Sequence, residues 1–201
     1  MTRVKVCGLK RPEDMTYANE LLPDYVGFVF AKASKRYVSP ESAAALREQL
    51  SPQIVTVGVF VDESVESVVS LLQSGMIGMA QLHGAETAEY IRALRSRSQA
   101  PIIQAFRIAT RDDVLRAEQS QADYILLDHG AGGTGESFDW SLLDGIERPF
   151  FLAGGLSAEN VGEAIARYKP FAVDSSSKLE TDGLKDYNKM KAFVEAVRQN
   201  G

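Results

Sequence analysis

Short runs of apolar residues alternate along the chain with longer segments in which apolar positions recur at the spacing of an α-helix. The runs predict eight strands, over residues 4–7, 25–30, 54–61, 78–82, 102–106, 124–127, 150–153 and 171–173. The intervening segments predict helices over residues 12–22, 39–50, 64–73, 87–95, 110–119, 157–168 and 185–198. Several of these helices open with a Ser or Thr that can cap the first turn, as Ser39 does before Pro40.

Eight strand–helix units of about 25 residues each are the number that a (β/α)8 barrel requires. A doubly wound sheet usually has five or six strands and is the second choice. The strands carry apolar residues on both faces, which is typical of strands covered by helices outside and filled by side chains inside. We therefore predict an α/β fold in which residues 1–201 form a single (β/α)8 TIM barrel.

Charge and cysteine content narrow the classes of function. A net charge of −5 without a cluster of Lys and Arg argues against nucleic acid as the main partner. No apolar run is long enough to cross a bilayer, and the first residues lack a signal-peptide pattern, so we expect a cytoplasmic protein. One cysteine excludes an internal disulfide, and one cysteine with two histidines is too sparse for a convincing zinc site. We expect no bound metal.

The barrel predicts where chemistry lies, because active sites on this fold occupy the C-terminal ends of the strands. Cys7 ends the first strand, His83 follows the fourth, Asp128 follows the sixth and Asp174 follows the eighth. A thiol and a carboxylate at the same rim indicate an acid–base site.

The loops after strands seven and eight are the usual phosphate site of such barrels. Here they carry Gly154-Gly155, which allows close approach of the backbone to an anion, and a run of serines that includes Ser176 and Ser177. The alternative is a tight turn and an ordinary serine-rich loop. We favour a phosphate site, because both features fall in the two expected loops.

Four glycines between Gly130 and Gly135 match the dinucleotide-binding pattern when they are taken alone. That pattern needs an early strand–turn–helix and an acidic residue at the end of the next strand. Here the glycines follow strand six, and the next strand ends in Gly154-Gly155 instead of an acidic residue. The position of the motif therefore argues against a nicotinamide-dependent enzyme, and we expect no cofactor. We predict instead a pliable loop that closes over a substrate.

Six stretches, in order along the whole chain, resemble the phosphoribosylanthranilate isomerase family of tryptophan biosynthesis. They are Val4-Lys5-Val6-Cys7-Gly8, Ser34-Lys35-Arg36-Tyr37-Val38, Gln81-Leu82-His83-Gly84, Leu127-Asp128 with Gly132-Gly133-Thr134-Gly135 and Phe138-Asp139-Trp140, Leu152-Ala153-Gly154-Gly155-Leu156, and Asp174 with Ser176-Ser177. Each stretch alone is a weak signal, and the specificity lies in their combination. The resemblance implies a small phosphosugar substrate and an Amadori rearrangement, the third step from chorismate towards tryptophan.

The resemblance also implies roles for single residues. Cys7 would be the general base that takes the C2′ proton of the sugar, and Asp128 the general acid that protonates the ring oxygen. Arg36 would hold the anthranilate carboxylate, which suits a planar guanidinium, and Asp174 would contact the substrate near the anthranilate. His83 is left open between a substrate contact and a supporting role.

The chain departs from the family pattern at two positions. Lys35 stands where the family usually has Pro, and Lys178 stands where Gly is common. Lys178 either strengthens phosphate binding or points to solvent. Lys5, two residues before Cys7 on the same strand face, either favours the thiolate or pairs with an acid such as Asp174.

Two further alternatives concern the whole protein. A non-catalytic barrel that binds a phosphorylated ligand gives no reason for both Cys7 and Asp128. The related barrel isomerase of histidine biosynthesis has aspartates at both positions, so the thiol argues against it. The oligomeric state is left open between a monomer and a homodimer.

Overall fold

The computed structural model describes residues 1–128 and 139–201, and its central feature is a closed barrel of eight parallel strands. The strands are β1 Arg3–Cys7, β2 Tyr25–Val29, β3 Val55–Phe60, β4 Met79–Leu82, β5 Ile102–Arg107, β6 Tyr124–Asp128, β7 Phe150–Leu152 and β8 Ala172–Ser175. Each strand pairs with the next, and β8 pairs with β1 to close the ring. The predicted (β/α)8 barrel is confirmed.

Seven α-helices in the described residues surround the barrel. They are α1 Pro12–Leu21, α2 Pro40–Glu48, α3 Val65–Gln73, α4 Ala88–Arg95, α5 Arg111–Glu118, α6 Val161–Tyr168 and α7 Tyr187–Asn200. The predicted cap of α2 forms: the Ser39 side chain accepts from the backbone N–H of Ser42 at the start of the helix. No helix in these two ranges is long and apolar enough to cross a membrane.

Three local predictions were wrong. Between β6 and β7 the described residues contain a short 3-10 helix, Trp140–Leu143, instead of the α-helix that eight full strand–helix units require. Helix α6 begins at Val161, not at residue 157, because the Asn160 side chain folds back and accepts from the backbone N–H of Ser157. Its amide also donates to the carbonyl of Gly155, which fixes the loop after β7.

The third wrong prediction is the start of the last helix. Helix α7 begins at Tyr187, where the Asp186 side chain accepts from the backbone N–H of Lys189. The residues before it form an antiparallel hairpin of β9 Glu180–Thr181 and β10 Leu184–Lys185. Its two turn residues, Asp182 and Gly183, have φ of 52° and 75°, the left-handed conformation that tight hairpins require.

The interior of the barrel changes character along its axis. Rings of Tyr25, Tyr124, Phe151 and Phe171 pack together where strands begin, with ring centroids 4.5 Å apart for Tyr124 and Phe171. Towards the strand ends the interior instead holds buried polar side chains, among them Lys5 and Asp174. Burial of charge is costly unless it is paired, so this end of the barrel is the place to look for function.

Candidate active site

All nine site residues predicted from the sequence line one cavity at the C-terminal end of the barrel. They are Cys7, Arg36, His83, Asp128, Gly154, Gly155, Asp174, Ser176 and Ser177. The cavity has a volume of about 190 Å³. Strands, not helices, position most of these side chains, because the ends of parallel strands converge on one rim.

Lys5 and Asp174 form a buried ion pair beneath Cys7. Parallel pairing of β1 with β8 sets Lys5 opposite Asp174, and Lys5 Nζ lies 2.8 Å from Asp174 Oδ2. The Lys5 side chain is fully buried. Of the two roles left open for Lys5, pairing with Asp174 is therefore present in the structure. The second oxygen of Asp174, Oδ1, is buried and has no hydrogen-bond partner among the described residues, so it is available to a ligand.

Burial and neighbouring charges oppose each other at Cys7. Burial raises the pKa of the Cys7 thiol, the cations of Lys5 and Lys185 act to lower it, and Asp174 adds to the rise. The net pKa is raised, so the thiol form prevails near neutral pH. Burial also disfavours the ammonium of Lys5, but the adjacent charges outweigh it, and the pKa of Lys5 is raised. Lys5 therefore acts on the thiolate in the expected direction without overcoming burial.

His83 lies beside Asp128 on the opposite wall. His83 Nε2 is 3.8 Å from Asp128 Oδ2, and Nδ1 is 2.9 Å from the Gln81 side-chain nitrogen. In this orientation of the Gln81 amide, Nδ1 accepts a hydrogen bond and Nε2 carries the ring proton towards Asp128. Burial, with a contribution from Lys5, lowers the pKa of His83 to about 4. His83 is therefore neutral at pH 7, and it both lines the cavity and adjoins Asp128.

Arg36 does not stand alone at the rim. Glu180 accepts from Arg36 Nε at 2.6 Å and from Nη2 at 2.9 Å, in a bidentate pair. Lys185 Nζ lies 2.7 Å from the same carboxylate. Sequence reasoning missed both Glu180 and Lys185. The signal that was present is the Asp182-Gly183 dipeptide, which predicts a hairpin between them and would have brought the two side chains to one place.

The two predicted phosphate loops meet at the same rim. Gly154 and Gly155 have φ of 85° and 67°, a left-handed backbone that residues with a Cβ rarely adopt. The Ser176 hydroxyl donates to the carbonyl of Cys7 at 2.9 Å, which ties the loop after β8 to the end of β1. Lys178 is exposed and also lines the cavity. Its contribution to phosphate binding stays a prediction.

Some predictions concern residues 129–138, which lie outside the described residues. These are the loop residue His129 and the glycine-rich closing loop from Gly130 to Gly135. The described residues hold no cluster of three His, Cys, Asp or Glu side chains suited to a metal ion.

Fold and site together define a class: a TIM-barrel enzyme whose cavity combines a thiol, two carboxylates and an arginine at the C-terminal rim. A family model described as "N-(5'phosphoribosyl)anthranilate (PRA) isomerase" matches residues 4–196. The N-(5'-phosphoribosyl)anthranilate isomerase of Thermoanaerobacter sp. (strain X514) is 45% identical over 204 aligned residues, covering 98% of each chain.

Two solved structures agree with that match. The crystal structure of phosphoribosyl anthranilate isomerase from Thermotoga maritima is 38% identical, with a TM-score of 0.91 over 99% of this chain and 100% of that one. A structure of such an isomerase in complex with reduced 1-(o-carboxyphenylamino)-1-deoxyribulose 5-phosphate has a TM-score of 0.88 at 38% identity, with the same coverage. The chain belongs to the phosphoribosylanthranilate isomerase family.

Proposed function

We propose that the chain converts N-(5'-phosphoribosyl)anthranilate to 1-(o-carboxyphenylamino)-1-deoxyribulose 5-phosphate, a step of tryptophan biosynthesis, by the roles assigned below. Family membership supports the reaction. The observation that carries the residue roles is the meeting of Cys7, Asp128, Arg36 and the loops after β7 and β8 in one cavity. A substrate with a carboxylate, a sugar and a phosphate needs those three kinds of partner in one place.

The chemistry divides between the two proton-transferring groups. Asp128 gives a proton to the ring oxygen of the ribose, the bond from that oxygen to C1′ breaks, and an iminium forms with the anthranilate nitrogen. The thiolate of Cys7, which is the minority form near neutral pH, then takes the proton from C2′, which the iminium has made acidic. The resulting enolamine tautomerises to the ketone. The reaction is an isomerisation that consumes no other reactant, and its two proton transfers need groups on opposite sides of the substrate.

Binding groups fix which way the substrate lies. Arg36 binds the anthranilate carboxylate, and the unpartnered Oδ1 of Asp174 accepts from a donor at that end of the substrate. Gly154, Gly155, Ser176 and Ser177 bind the phosphate. His83 lies beside Asp128, with Nε2 3.8 Å from Asp128 Oδ2, at the end of the cavity where the sugar reacts.

The test is direct conversion of the substrate. Purified protein is given freshly made phosphoribosylanthranilate, and loss of the substrate's fluorescence is followed beside a blank without protein. We expect rapid loss of fluorescence when the protein is present. Mass spectrometry should show a ketose product of the same mass as the substrate. Saturable binding of the substrate without turnover is the outcome of a barrel that only binds a phosphorylated ligand, and it would refute the proposal.

Two expectations from the sequence accompany the proposal. The cytoplasmic location stays a prediction, and so does the choice between a monomer and a homodimer. Size-exclusion chromatography with light scattering decides the second.

A further inference from the structure

Glu180, Lys185, Arg36 and Ser176 form a polar cluster at the rim, here called the rim cluster. Glu180 and Lys185 face each other across the β9–β10 hairpin, and their side chains are 6% and 1% exposed. We propose that Glu180 and Lys185 are positioning residues that give Arg36 its specificity for a carboxylate. The inference rests on the proposed function, because it deepens the role assigned there to Arg36.

Glu180 fixes the direction of the guanidinium. Its two oxygens hold Nε and Nη2 of Arg36, while Nη1 has no acceptor within the described part of the chain. The stem of Arg36 crosses directly over Gly8, where a Cβ would lie 2.4 Å from Arg36 Cδ. Since one edge of the fork is taken and the stem is confined, the remaining donors are presented to the cavity that Arg36 lines.

Lys185 compensates the negative charge of Glu180. Burial works against ionisation of Glu180, but the hydrogen bonds from Arg36 and the charge of Lys185 outweigh it and lower the pKa of Glu180 to about 2. Arg36 with an ionised Glu180 is a neutral pair, which attracts an incoming carboxylate weakly. Lys185 at 2.7 Å returns the group to a net charge of +1. The lysine also donates to the carbonyl of Ser176 at 3.0 Å and so links the cluster to the proposed phosphate loop.

One substitution distinguishes the effect of the orientation of Arg36 from the effect of the net charge of the rim cluster, because the two effects predict opposite changes in affinity. Glu180→Gln removes a negative charge, so a purely electrostatic site would bind a carboxylate more tightly. A site that depends on the direction of Arg36 would bind it less tightly. The Lys185→Met variant tests the other half, because it leaves the orientation in place and removes the compensating cation, whereas Lys185→Arg keeps that cation.

Isothermal titration calorimetry with two ligands measures the effect. One ligand is reduced 1-(o-carboxyphenylamino)-1-deoxyribulose 5-phosphate, and the other is the same molecule with a plain phenylamino group. We expect the wild-type protein to prefer the carboxylate by about 100-fold, as for a bidentate charged hydrogen bond. The preference should fall to about 10-fold or less in Glu180→Gln and in Lys185→Met, and should return in Lys185→Arg. Affinity for the phenylamino ligand should change by less than about twofold in Glu180→Gln.

The controls distinguish a failure of this inference from a failure of the role proposed for Arg36. Arg36→Met should abolish the preference, and a wild-type protein without any preference would contradict the assigned role of Arg36 itself. If the wild type discriminates and Glu180→Gln still does so at the same level, the inference is overturned. Glu195→Gln, the same change in an exposed pair with Lys191, should alter nothing. If Glu180→Gln fails to fold by circular dichroism, Glu180→Asp, which shortens the reach, takes its place and should show the same loss.

Discussion

The two ends of the barrel interior are built from the same eight strands but differ in the side chains that they hold. At the N-terminal end, the space is filled by aromatic and aliphatic side chains such as Phe151, which is fully buried and contacts three other rings. At the C-terminal end, buried charges such as Lys5 and Asp174 surround a cavity. Apolar contacts stabilise the fold, whereas buried charges contribute little net stability and are retained for what they do. Changes at the two ends should therefore separate stability from activity.

The largest separation should come from the two proton-transferring groups. Cys7→Ser and Asp128→Asn should each lower kcat by about 10³-fold or more while the Kd of the reduced product changes little. Each change is nearly isosteric, so the free energy of unfolding should move by less than about 1 kcal/mol. Stopped-flow fluorescence and urea unfolding measure the two quantities. Activity close to wild type in either variant would contradict the assignment.

Phe151→Ala tests the opposite end. It removes a fully buried ring and should destabilise the protein by about 3–5 kcal/mol, through lost burial and the cavity left behind. Protein that remains folded should keep its KM, because Phe151 does not line the cavity. Urea unfolding and assays at 15 °C and 25 °C check this. A selective loss of kcat without loss of stability would mean that the two ends are coupled.

A third effect concerns acid. The pKa of His83 is lowered to about 4 by burial and, to a lesser extent, by Lys5, so the folded state favours the neutral ring. Its contribution to stability is present above the unfolded pKa of about 6.5 and is lost as pH falls from there towards 4. Between pH 7.5 and 4.5 the wild type should lose about 2 kcal/mol more than His83→Gln, measured by urea unfolding at both values. Equal losses in the two proteins would show that His83 titrates normally.

The smallest expected effect on a rate lies where the two ends meet. Lys5→Met removes a cation that lowers the pKa of Cys7, and it leaves the buried Asp174 without its ion pair, so the variant is first checked for folding. The thiol pKa should rise further, so alkylation of Cys7 at pH 8 should slow by about fivefold. Iodoacetamide labelling followed by mass spectrometry gives the rate, with Lys191→Met as the exposed control. An unchanged profile would remove Lys5 from any role in activating the thiol.

The sequence was sufficient for the barrel and for most of its rim. Each strand is a short apolar run, and the ends of parallel strands converge, so Cys7, Asp128 and Asp174 could be assigned to one site without coordinates. What it did not yield depends on contacts between distant residues. Glu180 lies 144 positions from Arg36, and neither charge shows its partner by local pattern.

Local signals also misled where a neighbour competed. Serine is a common helix cap, so Ser157 was a reasonable prediction. In the structure the Asn160 side-chain oxygen accepts from the backbone N–H of Ser157, and the helix starts at Val161. Lys185 is a good helix former that became the end of a hairpin, because Asp186 supplies a better cap one residue later. Such outcomes depend on which hydrogen-bond partner is within reach in the folded chain, and residue propensities do not encode this.

Lys178 has a consequence for the speed of encounter rather than for binding or stability. The chain as a whole carries a net charge of −5 and so repels a substrate that bears both a phosphate and a carboxylate. Lys178, however, is an exposed cation that lines the cavity, together with Arg36 and the side chains of Asp128 and Asp174. An exposed cation at the cavity attracts an approaching anion locally and speeds its encounter with the site, an effect that dissolved salt weakens.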